Sequence, residues 1–170
     1  MTRLPEPWLR GPIPGIEPLL QPVAHALTGV IEDLLPLLRS LDESAIWKTA
    51  GASAPIGYHL AHMTGSLDRL MTYVRGDALS QPQWDAYAIE QRVVEVRPSL
   101  ASLIDSLSAT LDRAIRDLHQ IPPDRLLDPR EVGRARLPSN VLGLLVQAAE
   151  HTVRHAGQIS TLSHVFQESS

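Results

Sequence analysis

The sequence predicts an all-α protein folded as a four-helix bundle, and three observations support this prediction. Of its 170 residues, 44% are apolar but only 4% are aromatic, so the core must consist mainly of aliphatic side chains. Four segments repeat apolar residues at steps of three and four, the spacing of a helix with one buried face. No segment shows convincingly the alternation of a half-buried strand. Four amphipathic helices of this kind are expected to pack around one core.

The chain starts with a proline-rich segment, residues 1–17, that is predicted to be an extended arm. Its prolines, which oppose regular structure, are Pro5, Pro7, Pro12 and Pro14. The first helix is expected over roughly 18–40. Pro22 fits the first turn of this helix, and Pro36 should kink it or loosen its last turn.

The second helix is expected to begin at Ser53 and Pro55, which serve as a cap and a first turn, and to stop at Gly76. Glycine suits such an end because it adopts the left-handed backbone conformation easily. The pattern Ser-Gln-Pro-Gln that begins at Ser80 resembles a capping box. It predicts a short helix over roughly 81–93.

The third helix is expected from about Ser99 until Pro122 interrupts it. Residues 121–139 form a connector that contains proline and arginine, and the fourth helix begins near Ser139 or Asn140. We find no internal repeat, linker or low-complexity stretch after the arm. Residues 18–170 are therefore predicted to be a single domain. The long connections leave both an up-down-up-down and a crossover topology open.

Composition and charge exclude several classes of function. The net charge of −4 and the pI near 5.9 argue against a strongly basic nucleic-acid-binding protein. No apolar run is long enough to cross a bilayer, and no signal peptide is recognisable, so the protein is expected to be cytoplasmic, without membrane partners. The absence of cysteine excludes disulfides, iron–sulfur clusters and a cysteine nucleophile. A transition metal would have to be bound by imidazole or carboxylate groups.

Two of the seven histidines lie together on the apolar face of the fourth helix. At about 100° per residue, His155 points within roughly 20° of Ala148, taken as the centre of that face, and His151 within roughly 60°. Their spacing of four residues stacks the imidazoles one turn apart, so that two ring nitrogens can reach one ion. The pair therefore predicts a metal site more strongly than a lone buried histidine would.

The second helix offers two further histidines, His59 and His62. Measured from Met63, His59 lies near the middle of the apolar stripe and His62 at its edge, roughly 100° away. The helical wheel favours His59 as the inward residue. A flank of a bundle helix also faces a neighbouring helix, so His62 stays an alternative.

The same pattern argues against two metal chemistries. The helix of zinc peptidases reads His-Glu-x-x-His, with the glutamate as general base, but the corresponding position here is Thr152. Di-iron bundles need several inward carboxylates, whereas Glu150 points outward on the wheel. Three imidazoles without a carboxylate would leave one coordination position open to water or an external ligand.

Two segments resemble helices of the DinB/YfiT-like superfamily. Tyr58-His-Leu-Ala-His-Met-Thr-Gly-Ser-Leu-Asp-Arg-Leu70, followed by Gly76, is similar to its second helix. Glu150-His-Thr-Val-Arg-His-Ala-Gly-Gln-Ile159 is similar to its last helix. The length, the order of the helices and the long connector agree with the family. The resemblance covers about residues 17–166.

The resemblance implies a DinB-like four-helix bundle that binds one metal through three histidines. By motif position these ligands are His62, His151 and His155, and His59 becomes a neighbour that lines the site or a fourth ligand. Zn²⁺ and Ni²⁺ are the expected metals, since imidazole suits both. The resemblance also favours a homodimer, although no patch of the sequence identifies an interface.

Characterised members of this family include enzymes that use a low-molecular-weight thiol such as bacillithiol or mycothiol. The resemblance therefore implies a metal-dependent thiol transferase, or a hydrolase, that acts on a small-molecule substrate. Without cysteine, the chain would need the thiol as an external co-substrate. The alternative is a non-enzymatic, stress-related binding or scaffold bundle with a structural metal or core histidines only. Arg69 and Arg154 flank the histidine-bearing faces. They either orient an anionic substrate or thiol or are simply solvated, and the second is expected.

Overall fold

Four long helices form the body of the protein, as the apolar periodicity predicts. The computed structural model describes residues 4–167. Its helices are α1 (Gln21–Arg39), α2 (Ile56–Arg75), α3 (Gln81–Glu90), α4 (Val93–Val96), α5 (Leu100–Leu118) and α6 (Val141–Gln167). The four long helices share one continuous aliphatic core, in which Leu27, Leu60, Leu107 and Leu145 are completely buried. Burying each such side chain contributes about 2 kcal/mol. Among the described helices none has both the length and the apolar character that a membrane crossing requires.

The consecutive pairs α1–α2 and α5–α6 each lie diagonally across the bundle, whereas α2 and α5 are neighbours. Helix α2 packs most extensively on α6 and also on α5, and α1 packs on the same two helices. The order around the bundle is therefore α1, α6, α2, α5. The segment between α1 and α2 therefore spans a diagonal of the bundle, and so does the segment between α5 and α6. Of the two topologies that the sequence allows, the fold thus has the crossover type, which places α2 directly against α6.

Several helix ends follow the predicted signals. Gly76 ends α2 in the left-handed conformation, with φ of 85°. The hydroxyl of Ser80 accepts a hydrogen bond from the backbone N–H of Gln83, and the Gln83 side chain accepts one from the backbone N–H of Ser80. This completes the predicted capping box at the start of α3. Ser99 and Asn140 likewise accept bonds from backbone N–H groups in the first turns of α5 and α6.

Two predicted boundaries are wrong in detail. Helix α2 starts at Ile56, directly after Pro55, and no side chain caps it, so Ser53 does not have the predicted role. The helix expected over 81–93 is divided into α3 and α4. Between them, Arg92 leaves the helical conformation, with φ of −118° and ψ of 16°, and the chain turns towards the start of α5.

The connector before α6 contains a small β-hairpin, which contradicts the prediction of no strands. Strand β1 (Pro129–Val132) pairs antiparallel with β2 (Leu137–Asn140). Two prolines in these eight residues hide the strand signal in the sequence. Both strands are edge strands of a two-stranded ribbon, where a missing backbone N–H is tolerated. Positive φ angles at Gly133 and Arg136 form the turn between the strands.

The N-terminal arm is folded against α1 rather than simply extended. It contains a 3₁₀ turn over Pro7–Leu9, which lies against α1. Gln21 of α1 holds the arm in place through hydrogen bonds. Its side chain accepts one from the Ile13 N–H and donates to the carbonyls of Ile13 and Ile16. Residues 1–3 of the predicted arm and residues 168–170 of the predicted domain lie outside the described residues.

Candidate metal centre

Three histidines of α2 and α6 meet where these two helices pack together. The Nε2 atoms of His62 and His151 are 3.1 Å apart, although 89 residues separate them in the sequence. The ring of His155 lies 4.9 Å from the His62 ring and 4.5 Å from the His151 ring, measured between centroids. One nitrogen from each of the three rings lies within 4.8 Å of the other two. Residues 4–167 contain no second cluster of three or more possible metal ligands of this kind.

The structure brings both histidines of α2 to the site, but in different positions. His62 faces His151 and His155 from the flank of α2, and the exposed fraction of its side chain is 24%. His59 lies deeper, with 5% of its surface exposed, as its central place on the apolar stripe predicts. His59 is thus the more buried of the two, and His62 is the residue whose nitrogen joins the three-nitrogen cluster.

A buried glutamate, Glu90, completes the surroundings of His62. Its Oε1 lies 2.7 Å from Nδ1 of His62, and only 6% of its surface is exposed. Arg69 binds both carboxylate oxygens, with Nη1 at 2.6 Å and Nη2 at 3.2 Å. The Tyr87 ring covers the guanidinium group at 4.7 Å. The expectation that Arg69 is solvated is therefore wrong, because this arginine neutralises a buried carboxylate.

Room for this carboxylate depends on a glycine of α2. A Cβ atom at Gly65 would lie 2.2 Å from Oε2 of Glu90 and 2.8 Å from Nη1 of Arg69, which is too close for either contact. Burial alone would raise the pKa of Glu90, but the hydrogen bonds from His62 and Arg69 outweigh it and lower the pKa. Glu90 is therefore ionised at neutral pH. An ionised carboxylate is a pure acceptor, so His62 carries a proton on Nδ1 and directs it towards Glu90.

The sequence does not identify Glu90 as a residue of the site. Its only signal is the capping box at Ser80, which predicts a short helix in this region. Almost all of α3 is exposed, so no apolar stripe tells which side of that helix faces α2. The small residue at position 65 becomes informative only once α3 is known to lie against α2.

His59 is paired with His155 rather than with the other two histidines. Their Nδ1 atoms are 3.0 Å apart, and the Nε2 atom of His59 is buried without a hydrogen bond of ordinary geometry. Burial lowers the pKa of His59, the charge of His62 adds to this effect, and the nearby backbone of Ala54 opposes it in part. His59 is therefore neutral at neutral pH.

The two histidines of α6 are also kept neutral. Burial, together with the neighbouring His151 and His62, lowers the pKa of His155 to about 4. Burial likewise lowers the pKa of His151, and the charges of His62 and Arg154 act in the same direction. Because only an unprotonated nitrogen can bind a metal, these rings bind without first losing a proton to the solvent.

The geometry fits a divalent metal bound by imidazoles. Two nitrogens that coordinate one tetrahedral ion at about 2.0–2.1 Å lie about 3.3 Å apart. The distance of 3.1 Å between Nε2 of His62 and Nε2 of His151 is close to this value. With the Nδ1 proton of His62 directed at Glu90, Nε2 of the same ring offers a lone pair to the cluster. A histidine ligand held by a carboxylate in this way is common in metal sites.

The other three histidines lie outside the cluster. His25 contacts the carbonyl of Gly11 through Nε2 at 3.0 Å, and His164 is exposed and contacts the carbonyl of Ser160. His119 follows the last turn of α5. Near the cluster, Arg154 is exposed and pairs with Glu150 at 2.7 Å, in agreement with the expectation that it is solvated.

The comparisons with known proteins agree with this architecture. A protein from Streptococcus pneumoniae has a similar structure, with a TM-score of 0.63 over 89% of this chain and 91% of that one. At 14% sequence identity this similarity concerns the fold alone. No curated protein matches the sequence. A family model described as the DinB superfamily matches residues 26–159. With this match over most of the sequence, the chain belongs to the DinB superfamily.

Proposed function

We propose that His62, His151 and His155 bind one divalent metal ion, Zn²⁺ or Ni²⁺, and that the protein is a metal-dependent enzyme acting on a small molecule. The observation that supports this proposal best is the convergence of three imidazole nitrogens within 4.8 Å, on two helices that pack directly together. Imidazole ligands suit both metals.

Two features favour a reactive site over a closed structural one. The protein supplies three nitrogen ligands and no carboxylate within the cluster, which leaves a fourth position for an external ligand. The side chain of His62 is 24% exposed, so the site reaches the surface on the α2 flank. The Tyr58 ring stacks on His62 at 5.6 Å and is nearly parallel to it, which gives this opening an aromatic wall.

The proposed reactions are transfer to a low-molecular-weight thiol, or hydrolysis. A bound divalent ion would lower the pKa of a thiol or a water molecule, so that a nucleophile exists at neutral pH. The chain contains no cysteine, so a thiol must come from outside. The role of the protein is to hold three imidazoles close together and to leave one side of the cluster open.

We assign His59 the part of a neighbour rather than of a fourth ligand. If His155 uses Nε2 as its ligand atom, its proton lies on Nδ1 and is donated to Nδ1 of His59, 3.0 Å away. The proton of His59 then lies on its buried Nε2. In this arrangement His59 orients His155 and has no lone pair left for the metal.

Elemental analysis of protein purified without a histidine tag tests the metal site. After loading with Zn²⁺ or Ni²⁺ and dialysis, we expect one ion per chain. His62→Ala and His151→Ala should lose it, while His59→Ala should retain it. The proposal is wrong if the wild type holds no ion after loading. The ligand assignment is wrong if His59→Ala loses the ion and His62→Ala keeps it.

The enzymatic part needs a separate assay. Loaded and metal-free protein are compared with several thiols and electrophiles, and with hydrolysable esters and amides. We expect turnover by the loaded protein only, and none by His151→Ala. A folded, loaded protein inactive in all of these assays would favour the non-enzymatic binding or scaffold bundle.

A further inference from the structure

We propose that Glu90 is a positioning residue that fixes the tautomer of His62, so that Nε2 of this histidine always presents its lone pair to the metal. The proposal rests on the metal-site function proposed above. His62 has two ring nitrogens, and only the one without a proton can bind a metal. The partner of the other nitrogen determines which tautomer exists.

Glu90 is held in the orientation that this role requires. The two guanidinium nitrogens of Arg69 bind both of its oxygens, and Tyr87 covers the guanidinium group. Oε1 also accepts the bond from His62 at 2.7 Å. Oε2 packs closely against Gly65, where even an added methyl group would overlap it. The carboxylate is thus fixed by contacts on several sides.

An amide at position 90 would reverse the tautomer. The side chain of glutamine has only one acceptor oxygen. Arg69, however, donates hydrogen bonds at both positions that the carboxylate oxygens of Glu90 occupy. If the amide turns its oxygen towards Nη1 of Arg69, its NH₂ group faces Nδ1 of His62. That nitrogen must then accept, and the proton of His62 moves to Nε2, where it blocks metal binding. Glu90→Gln therefore changes the preferred tautomer with almost no change of shape.

The control variant is Glu150→Gln. It makes the same chemical change beside His151 on α6, but Glu150 is exposed and bonds to Arg154 rather than to a histidine. Both variants remove one negative charge close to the site, so a difference between them reports the hydrogen bond to His62. Gly65→Ala provides a third test, because it keeps the charge of Glu90 but displaces the carboxylate.

Nitrogen NMR of the histidine rings in the metal-free protein tests the proposal directly. We expect His62 to be the Nδ1–H tautomer in the wild type and in Glu150→Gln, and the Nε2–H tautomer or a mixture in Glu90→Gln. The same tautomer in Glu90→Gln as in the wild type would overturn the proposal. This measurement needs no bound metal, so it stands even if the proposed metal function fails.

Competition titration with Zn²⁺ gives the second readout. We expect Glu90→Gln and Gly65→Ala to bind Zn²⁺ about 10- to 100-fold more weakly than the wild type, and Glu150→Gln to bind like the wild type. Circular dichroism shows whether each variant is folded. Equal affinity of folded Glu90→Gln and wild type would contradict the positioning role while leaving the metal site in place. A wild type that binds no Zn²⁺ would instead contradict the proposed function.

Discussion

Burial of an imidazole has two effects at His155, one on metal binding and one on stability. Its exposed fraction is 8%, and its pKa of about 4 keeps it neutral far below physiological pH. Protons therefore compete weakly with a metal at this nitrogen. The same shift makes the metal-free fold sensitive to acid, because the unfolded chain takes up the proton first.

We expect the free energy of unfolding of the metal-free protein to decrease as the pH falls from about 6.5 to about 4. His155 is neutral in both states above its unfolded pKa of 6.5, and the fold has its full stability there. Below 6.5 only the unfolded chain is protonated, until the folded pKa is reached. The loss from this residue is about 3 kcal/mol.

Urea denaturation at several pH values, in the presence of a chelator, measures this dependence. His155→Gln should show a smaller decrease between neutral and acidic pH than the wild type. His164→Gln replaces an exposed histidine of the same helix and should keep the wild-type slope. An unchanged slope in His155→Gln would rule out this residue as a cause of the acid sensitivity.

The sequence places both histidines of α6 on the inward face of their helix, but it leaves two histidines of α2 as candidates for the cluster. A wheel gives the direction of a side chain relative to the apolar stripe, and on this basis it identifies His59 as buried. It does not tell which neighbouring helix faces a flank. His62 joins the cluster because α6 and α3 both lie against that flank of α2. This arrangement is set by tertiary packing and cannot be derived from the sequence of α2 alone.

Among the elements, the short helix α3 is mostly exposed but contributes a residue to the surroundings of the histidine cluster. It contributes few core residues but supplies Glu90, and its start is fixed by the box of Ser80 and Gln83. The capping pattern predicts that this helix exists. Its orientation on α2 could not be predicted, because contacts such as that of Gln83 with Asp68 depend on the packing.

Removing the cap of α3 should weaken the metal site from a distance. We expect Ser80→Ala to destabilise α3 by about 1 kcal/mol, since the backbone N–H of Gln83 loses its acceptor. Amide hydrogen exchange in α3 should become faster, and Zn²⁺ affinity should decrease because Glu90 is held less firmly.

Ser99→Ala is the matched control for this prediction. It removes the same kind of cap from α5, a long core helix that supplies none of the clustered histidines. This variant should lower global stability and leave Zn²⁺ affinity unchanged. If Ser80→Ala leaves both the exchange in α3 and the affinity unchanged, the helix does not depend on its cap.

For the whole molecule, helix number and approximate boundaries are predictable from the sequence, but the arrangement is not. The apolar spacing that defines each long helix lies within that helix. The diagonal placement of α1 and α2 depends on which helix faces pack together in the bundle. The apolar spacing within one helix does not contain this information. The hairpin of β1 and β2 is missed because two short strands with two prolines show little periodicity.

The continuous core predicts that the fold does not require the metal. Within residues 4–167, thirty-one buried apolar residues form one cluster that involves all four long helices. We expect the protein to stay folded in chelator and to gain stability when Zn²⁺ is added. At a free concentration of 100 times Kd, the gain is about 2.7 kcal/mol.

Thermal unfolding with and without Zn²⁺ checks this expectation. His151→Ala should unfold at the same temperature under both conditions, because it lacks a ligand. Unfolding of the wild type on addition of chelator would identify a structural metal and count against the proposed enzyme.

The gap at Gly65 has a consequence for how this sequence can diverge. A side chain at position 65 would overlap the carboxylate of Glu90 where it now lies. Position 65 can therefore gain a side chain only if the carboxylate at position 90 moves. A lineage that gains alanine at 65 must lose or move the acid at 90, and with it the group that directs the proton of His62.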